Sequence, residues 1–250
     1  MRSNWEVLHR KRKREMEMKI VINLLKRHKD KFSDTLEFGC GDGFQIPYLK
    51  DISLNIQAID IEINTDTKKK FPKICSIQSI NNTSFDQKKF DLIFSNHVIE
   101  HLTDLSGAFN EMKRIGRDDC FYVFSLPTNI WLLLSLPAQY FTKVRSIIRS
   151  SLRTKDNLNS NRSNISASFL SQIMPKGHGE YYKFIDCYKN FRIRNWQRLF
   201  ESFDFNIIQI EPLLLYSASE FPVIPTTKAF KKINLCSSVL FILKKSKPNK

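Results

Sequence analysis

The chain is poor in glycine, with seven in 250 residues, which excludes collagen-like and glycine-rich low-complexity classes. Its five cysteines, Cys40, Cys75, Cys120, Cys187 and Cys236, are dispersed and form no CxxC pair. That spacing excludes a disulfide framework and a cysteine-rich zinc site, and a reducing, cytoplasmic setting is expected. The first twenty residues are charged and lead into no apolar stretch, so no signal peptide is expected. Long apolar runs are scarce. Residues 120–142 carry no charge and have the length of a bilayer span, but Pro127, Thr128, Asn129, Pro137 and Gln139 interrupt them. A buried strand followed by an apolar loop or short helix fits that stretch better.

What remains is ample for a core: 42% of residues are apolar, and the length suits one large domain or one domain with an elaborated insertion. The net charge of +15 is unevenly placed. Residues 1–32 carry +7, residues 143–194 carry +8 and residues 228–250 carry +7, whereas residues 33–142 carry −4. Basic blocks around an acidic middle suit an anionic partner, whether a phospholipid surface, a phosphorylated substrate or nucleic acid, or else are solvated tails.

Apolar periodicity predicts a basic helix over 7–31, with Met16, Ile20 and Leu24 four apart. Strands are expected at 35–38, 55–61, 74–77, 90–94 and 120–126. A one-faced helix should carry Leu102, Leu105, Phe109, Met112 and Ile115. Continuous apolar strands alternating with helices indicate a parallel sheet covered on both faces. Residues 128–180 break the alternation. They hold an apolar stretch (130–141), a basic amphipathic stretch with Arg145, Arg149 and Arg153, and a Ser/Asn-rich run. A helix bearing Trp196, Leu199, Phe200 and Phe203, then strands at 205–210 and 237–243, restore the regular pattern. The expected organisation is therefore a basic N-terminal helix (1–32), a core (33–127 and 181–243), an inserted substrate-side cap (128–180) and a basic tail (244–250).

The strongest motif is LEFGCGDG at 36–43, a strand running into Gly39-x-Gly41-x-Gly43. Glycines there permit a tight turn and close approach of a ligand. Asp60 ends the next strand, where an acid can accept hydrogen bonds from two ribose hydroxyls. Dinucleotide sites space their glycines GxGxxG so that a pyrophosphate meets a helix N-terminus. Here the third glycine comes one residue early, and Glu37 precedes the loop. A carboxylate at that point repels a pyrophosphate and favours a ligand bearing an ammonium group, as S-adenosylmethionine does.

These residues, together with AIDI at 58–61, FDLIFSNHVIEHLTD at 90–104, FSLPTN at 124–129 and, more loosely, RNWQRLFESFDFNI at 194–207, resemble the class I S-adenosylmethionine-dependent methyltransferases. The similarity is to the branch acting on small molecules and sugars. It implies a doubly wound α/β fold, with a mostly parallel seven-stranded sheet and the cap inserted after the fifth strand. The resemblance assigns Gly39, Cys40 and Gly41 to the methionine moiety, Glu37 to its ammonium, Asp60 to the ribose and Ile61 to one face of adenine. Where the family often has an acid that reads the adenine amino group, this sequence has Ser79 and Ile80. Ser95 and Asn96 are expected at the methyl-donor end.

Transfer to a neutral hydroxyl needs a base. His97, after the fourth strand, and His178, in KGHGE where the insertion rejoins the core, are the candidates. His9 and His28 are expected on the surface of the N-terminal helix, and Glu180, Tyr181 and Tyr182 could share in acceptor binding. No Asp lies between Asp91 and Asp104, so no metal is expected. SNHV at 95–98 lacks the proline pair that accompanies methylation of exocyclic base nitrogens. The expected function is methyl transfer to a hydroxyl of a small molecule or sugar, including a membrane-linked glycan intermediate. Peripheral attachment to the inner face of an anionic membrane through residues 130–153 and the terminal lysines is part of that expectation. The alternative is an RNA methyltransferase using the basic segments on phosphates. It is weakened by the acidic middle of the chain and the lack of an RNA-binding module. A non-enzymatic binding subunit is argued against by the intact Glu37, glycine loop and Asp60.

Overall fold

In the computed structural model the described residues are 4–137, 178, 183–217 and 223–246, with side chains described from residue 8 onward. The chain opens with helix α1 (Asn4–His28). It continues through β1 (Phe32–Phe38), α2 (Ile46–Lys50), β2 (Ser53–Asp60), α3 (Thr65–Lys70), β3 (Cys75–Ile77) and β4 (Phe90–Asn96). A 3-10 turn (Ile99–His101) leads to α4 (Leu105–Ile115) and β5 (Gly116–Pro127). A helix at 129–137, here α5, follows. The later elements are α6 (Phe184–Asn190), α7 (Ile193–Ser202), β6 (Phe205–Pro212), the short pair β7 (Leu214–Leu215) and β8 (Ile224–Pro225), α8 (Lys228–Lys232) and β9 (Ser238–Lys245).

Seven strands form one sheet in the order β3-β2-β1-β4-β5-β9-β6. The strands from β3 to β5 pair in parallel, and β9 runs antiparallel to both β5 and β6. The order reverses direction between β1 and β4, so the carboxyl ends of those strands flank the crevice where such sheets bind ligands.

Side-chain alternation explains why the strands read as unbroken apolar runs. In β9, Val239, Phe241 and Leu243 pack on one face, while Leu240 and Ile242 pack on the other. In β4, Phe90 and Ile93 face one side and Leu92 and Phe94 the other. The first face is covered by α4 and α7 through Phe109, Met112, Trp196 and Phe200. The Phe109 ring meets Phe124, Phe200, Phe203 and Phe205 at centroid distances of 4.9–6.3 Å. The second face is covered by α1 and α2.

The face that α1 buries differs from the one the sequence suggested. Met18, Val21, Ile22, Leu24 and Leu25 are its buried apolar residues, and Met16 and Ile20 lie at the margin. The true stripe follows spacings of three and four, which a pure four-residue count misses. Lys29 and the backbone N–H groups of Ser33 and Asp34 all donate to the buried carboxylate of Asp91, tying the α1–β1 junction to β4. The C-terminal boundary also shifts. Lys244 and Lys245 belong to β9: Lys244 lies over the Phe121 ring, and Lys245 donates to the Gly116 carbonyl at 2.7 Å. They are structural residues rather than the start of a free tail.

Of the insertion, the described part is residues 128–137 and His178. Trp131 and Leu132 pack against the core, whereas Leu133 and Leu134 are exposed. Among the described residues no helix is long and apolar enough to cross a membrane. Arg145, Arg149, Arg153, Glu180, Tyr181 and Tyr182, named above, lie outside the described residues, as do Lys247 and Lys250.

Candidate active site

The glycine loop leaves β1 at the crevice. Gly39 has φ +73°, and a side chain there would place its Cβ 2.2 Å from Val98 Cγ2. Only glycine satisfies both the left-handed backbone and the contact. Gly41, φ +52°, has no atom within 4 Å of the position a Cβ would take, so its open side faces the cavity it lines. Its N–H donates to Asp60 Oδ2 at 2.8 Å, and the other Asp60 oxygen accepts from Glu62 N–H at 3.3 Å. Asp60 therefore organises the loop from the end of β2 while remaining partly exposed. Cys40 is buried against Ile46, Ala58 and Cys75; burial foremost raises its thiol pKa, with the nearby Glu37 adding to the effect. It contributes to the loop through its backbone.

Glu37 lies in β1 one residue before its end and is buried. Its Oε2 has no hydrogen-bond partner among the described residues. Burial pushes its carboxyl up to about 8, against the pull of the Arg14 guanidinium. A buried carboxylate left without a donor is costly, and an ammonium ligand would supply one. The orphaned oxygen, the open side of Gly41 and the acid at Asp60 together fit S-adenosylmethionine.

The remaining expected cofactor residues take distinct positions. Ile61 is 77% exposed beside Asp60, an apolar side chain offered to a flat ring. Ile80 is buried in the core, so only its backbone is available there. Ser79 Oγ accepts from the Asn81 N–H at 3.3 Å. Ser95 and Asn96 end β4; Ser95 Oγ and Asn96 Oδ1 are buried without partners among the described residues, and Asn96 lines the cavity.

That cavity has a volume of about 630 Å³. Gly39, Cys40, Gly41 and Asn96 line it beside the glycine loop, and His101, Trp131, His178 and Tyr216 line it as well. A further wall is α1, through His9, Arg10, Lys13 and Arg14. Sequence reasoning missed this wall. His9, expected on the surface, lines the cavity, while His28 is held away from it by Gln209 Oε1 at 2.8 Å. Nothing in the spacing of basic residues along α1 distinguishes the four that line it.

His97 has φ +56°, a strained backbone for a non-glycine residue. Its Nδ1 lies 3.5 Å from Glu100 Oε1 and its Nε2 3.8 Å from Glu17 Oε1. Burial works against a charge on His97, but the two carboxylates outweigh it and raise its pKa. His178 is half-buried, with ring centroids 5.0 Å from His101 and 4.8 Å from Trp131. Burial, and secondarily His101, lowers its pKa. His97 and His178, distant in sequence, thus line one cavity.

A family model described as a methyltransferase domain matches residues 8–210. No curated protein matches the sequence. Several solved structures share the fold. A SAM-dependent methyltransferase of Aquifex aeolicus aligns with a TM-score of 0.51 at 12% identity, over 88% of this chain and 87% of that one. One from Thermotoga maritima, described as a possible histamine N-methyltransferase, aligns with 0.56 at 16% identity, over 97% and 93%. The 1,6-didemethyltoxoflavin-N1-methyltransferase of Burkholderia thailandensis, solved with S-adenosylhomocysteine, aligns with 0.53 at 10% identity, over 92% and 79%. With most of its length matched by that family model and its seven-stranded sheet shared with these enzymes, the chain belongs to the S-adenosylmethionine-dependent methyltransferases.

Proposed function

We propose that the chain transfers a methyl group to a hydroxyl of a small molecule or sugar, a glycan carried on a lipid included. The observation that carries this reading is the walled cavity. It is bounded by the glycine loop, the α5 rim and α1, and its volume of about 630 Å³ falls within the range of small-ligand sites. S-adenosylmethionine supplies the activated methyl. Glu37 holds its ammonium, Asp60 holds its ribose, and the loop backbone fixes its orientation. Catalysis by such a site is mainly alignment of the acceptor oxygen with the methyl.

The acceptor enters between His178, His101 and Trp131. His97 and His178 are the two residues able to handle its proton. His178 is the better placed, because His97 is held between Glu17 and Glu100. The basic wall of α1 suits an acceptor with anionic character. The exposed Leu133 and Leu134 on α5 support a position at an anionic lipid face, where the cavity rim would meet a lipid-linked substrate. Co-sedimentation with anionic vesicles should therefore be salt-sensitive and weaken in a Leu133→Ser/Leu134→Ser variant.

The experiment that tests the reading is incubation of the full chain with labelled S-adenosylmethionine and separate lipid, polysaccharide and RNA extracts. Label should enter the lipid-linked or free sugar fraction. Label confined to RNA would replace this reading with an RNA methyltransferase that uses the basic segments on phosphates.

A further inference from the structure

Glu100, His101 and His178 each present a metal-ligating atom, and these atoms all lie within 4.8 Å of one another. Two of the three are neighbours on the 3-10 turn after β4, and the third arrives from the far end of the insertion. All three line the cavity. From these juxtaposed side chains we infer a divalent-cation site of the zinc type on the acceptor side of the cavity.

The independent observation is the state of Glu100. It is 3% exposed, and neither carboxylate oxygen has a hydrogen-bond partner among the described residues. The His97 Nδ1 lies 3.5 Å from Oε1, an ion-pair contact that engages that oxygen alone. Oε2 has no partner among the described residues. Buried carboxylates are paired, or they coordinate metals. Two imidazoles and one carboxylate form a ligand set for Zn²⁺ that leaves a fourth position open. Tetrahedral coordination needs ligand atoms about 3.4 Å apart, from metal–ligand distances of about 2.0–2.2 Å.

This differs from the expectation of no metal, which rests on the absence of Asp between Asp91 and Asp104. Glu100 and His101 read as part of a helix start, and His178 is remote in the chain.

The role assigned to the site rests on the hydroxyl-acceptor reading above. An acceptor oxygen in the open position would have its O–H pKa lowered. Its proton leaves to solvent, an oxygen lone pair forms the new bond to the methyl carbon, and the sulfur keeps the electron pair of the bond that breaks. His178 then acts by holding the cation rather than as a free base.

The test is calorimetric titration of the chelator-treated, dialysed full chain with ZnCl₂, with S-adenosylhomocysteine binding measured on the same samples as a check on folding. One Zn²⁺ per chain is expected. Affinity should fall by at least about tenfold in His101→Ala, in His178→Ala and in Glu100→Gln, while homocysteine-product binding persists. No uptake by the wild type at about 100 μM Zn²⁺, far above the affinity of a built zinc site, would overturn the site. Equal uptake by the His101→Ala/His178→Ala double variant would overturn it as well, placing the metal on thiols such as Cys40 and Cys75. Uptake that is lost in the variants, from a protein that methylates no hydroxyl acceptor, would uphold the cation site and remove the hydroxyl-acceptor reading instead.

Discussion

Arg14 of the N-terminal helix holds Asp42 of the glycine loop through two hydrogen bonds, of 2.8 and 2.7 Å, and donates a third to Gln45 Oε1 at 3.2 Å. The same guanidinium lies over the Phe44 ring, 4.2 Å from its centroid. The N-terminal helix thus clamps the glycine loop. The geometry is bidentate, which is the strong form of such pairs, but Asp42 is more than half exposed and solvent screens the interaction. Arg14→Ala should weaken S-adenosylhomocysteine binding by about 1 kcal/mol, several-fold in Kd, with little change in Tm. Calorimetry on the two proteins checks this, and an unchanged Kd would mean that α1 merely covers the sheet.

The proposed role of Glu37 in holding the cofactor ammonium predicts pH-dependent binding. Without ligand its carboxyl titrates near 8, and it must be ionised to hold an ammonium. S-adenosylhomocysteine affinity should therefore fall roughly tenfold per pH unit below about 8 and level off above it. Stability of the ligand-free protein has the opposite slope. The folded-state pKa lies above the unfolded value of 4.5, so the folded state binds the extra proton. That contribution is complete below pH 4.5 and is lost as pH rises through 8. Glu37→Gln should flatten both profiles. Affinity measured at pH 6, 7, 8 and 9 checks the first, and Tm over the same range checks the second.

Gly39→Ala should abolish cofactor binding while leaving the sheet folded. The new methyl would meet Val98 at 2.2 Å in a left-handed backbone. Backbone strain of this kind costs on the order of 1–3 kcal/mol before the clash is counted. Far-ultraviolet circular dichroism should match wild type, and calorimetry with S-adenosylhomocysteine should show no heat. A variant that binds normally would contradict the loop geometry.

The sheet and the position of the glycine loop were legible in the sequence for identifiable reasons. Strands buried on both faces carry unbroken apolar runs, and β4 and β5 show this plainly. Gly39, Gly41 and Asp60 sit at fixed offsets from strand ends, so local order places them. The direction of β9 was not legible, because Ser238–Lys245 reads the same whether it pairs parallel or antiparallel. The rest of the cavity was legible only in fragments. Its wall combines Lys13 and Arg14 from one end of the chain with His178 and Tyr216 from the other, and no local pattern encodes that meeting. Glu17 illustrates the same limit. On a basic helix it reads as a solvated charge, yet it is buried, bonded to Ser238 and paired with His97. Lys13, His97 and Ser238 overcome the burial penalty and hold its pKa down to about 2.

The proposed S-adenosylmethionine site is the glycine loop with Asp60, and calorimetry of wild type and Asp60→Ala with S-adenosylhomocysteine is its sharpest test. The wild type should bind one-to-one, and the variant should lose about 1–3 kcal/mol, the range for hydrogen bonds to a charged group. Absence of heat with the wild type, or equal affinity in the two proteins, would contradict it.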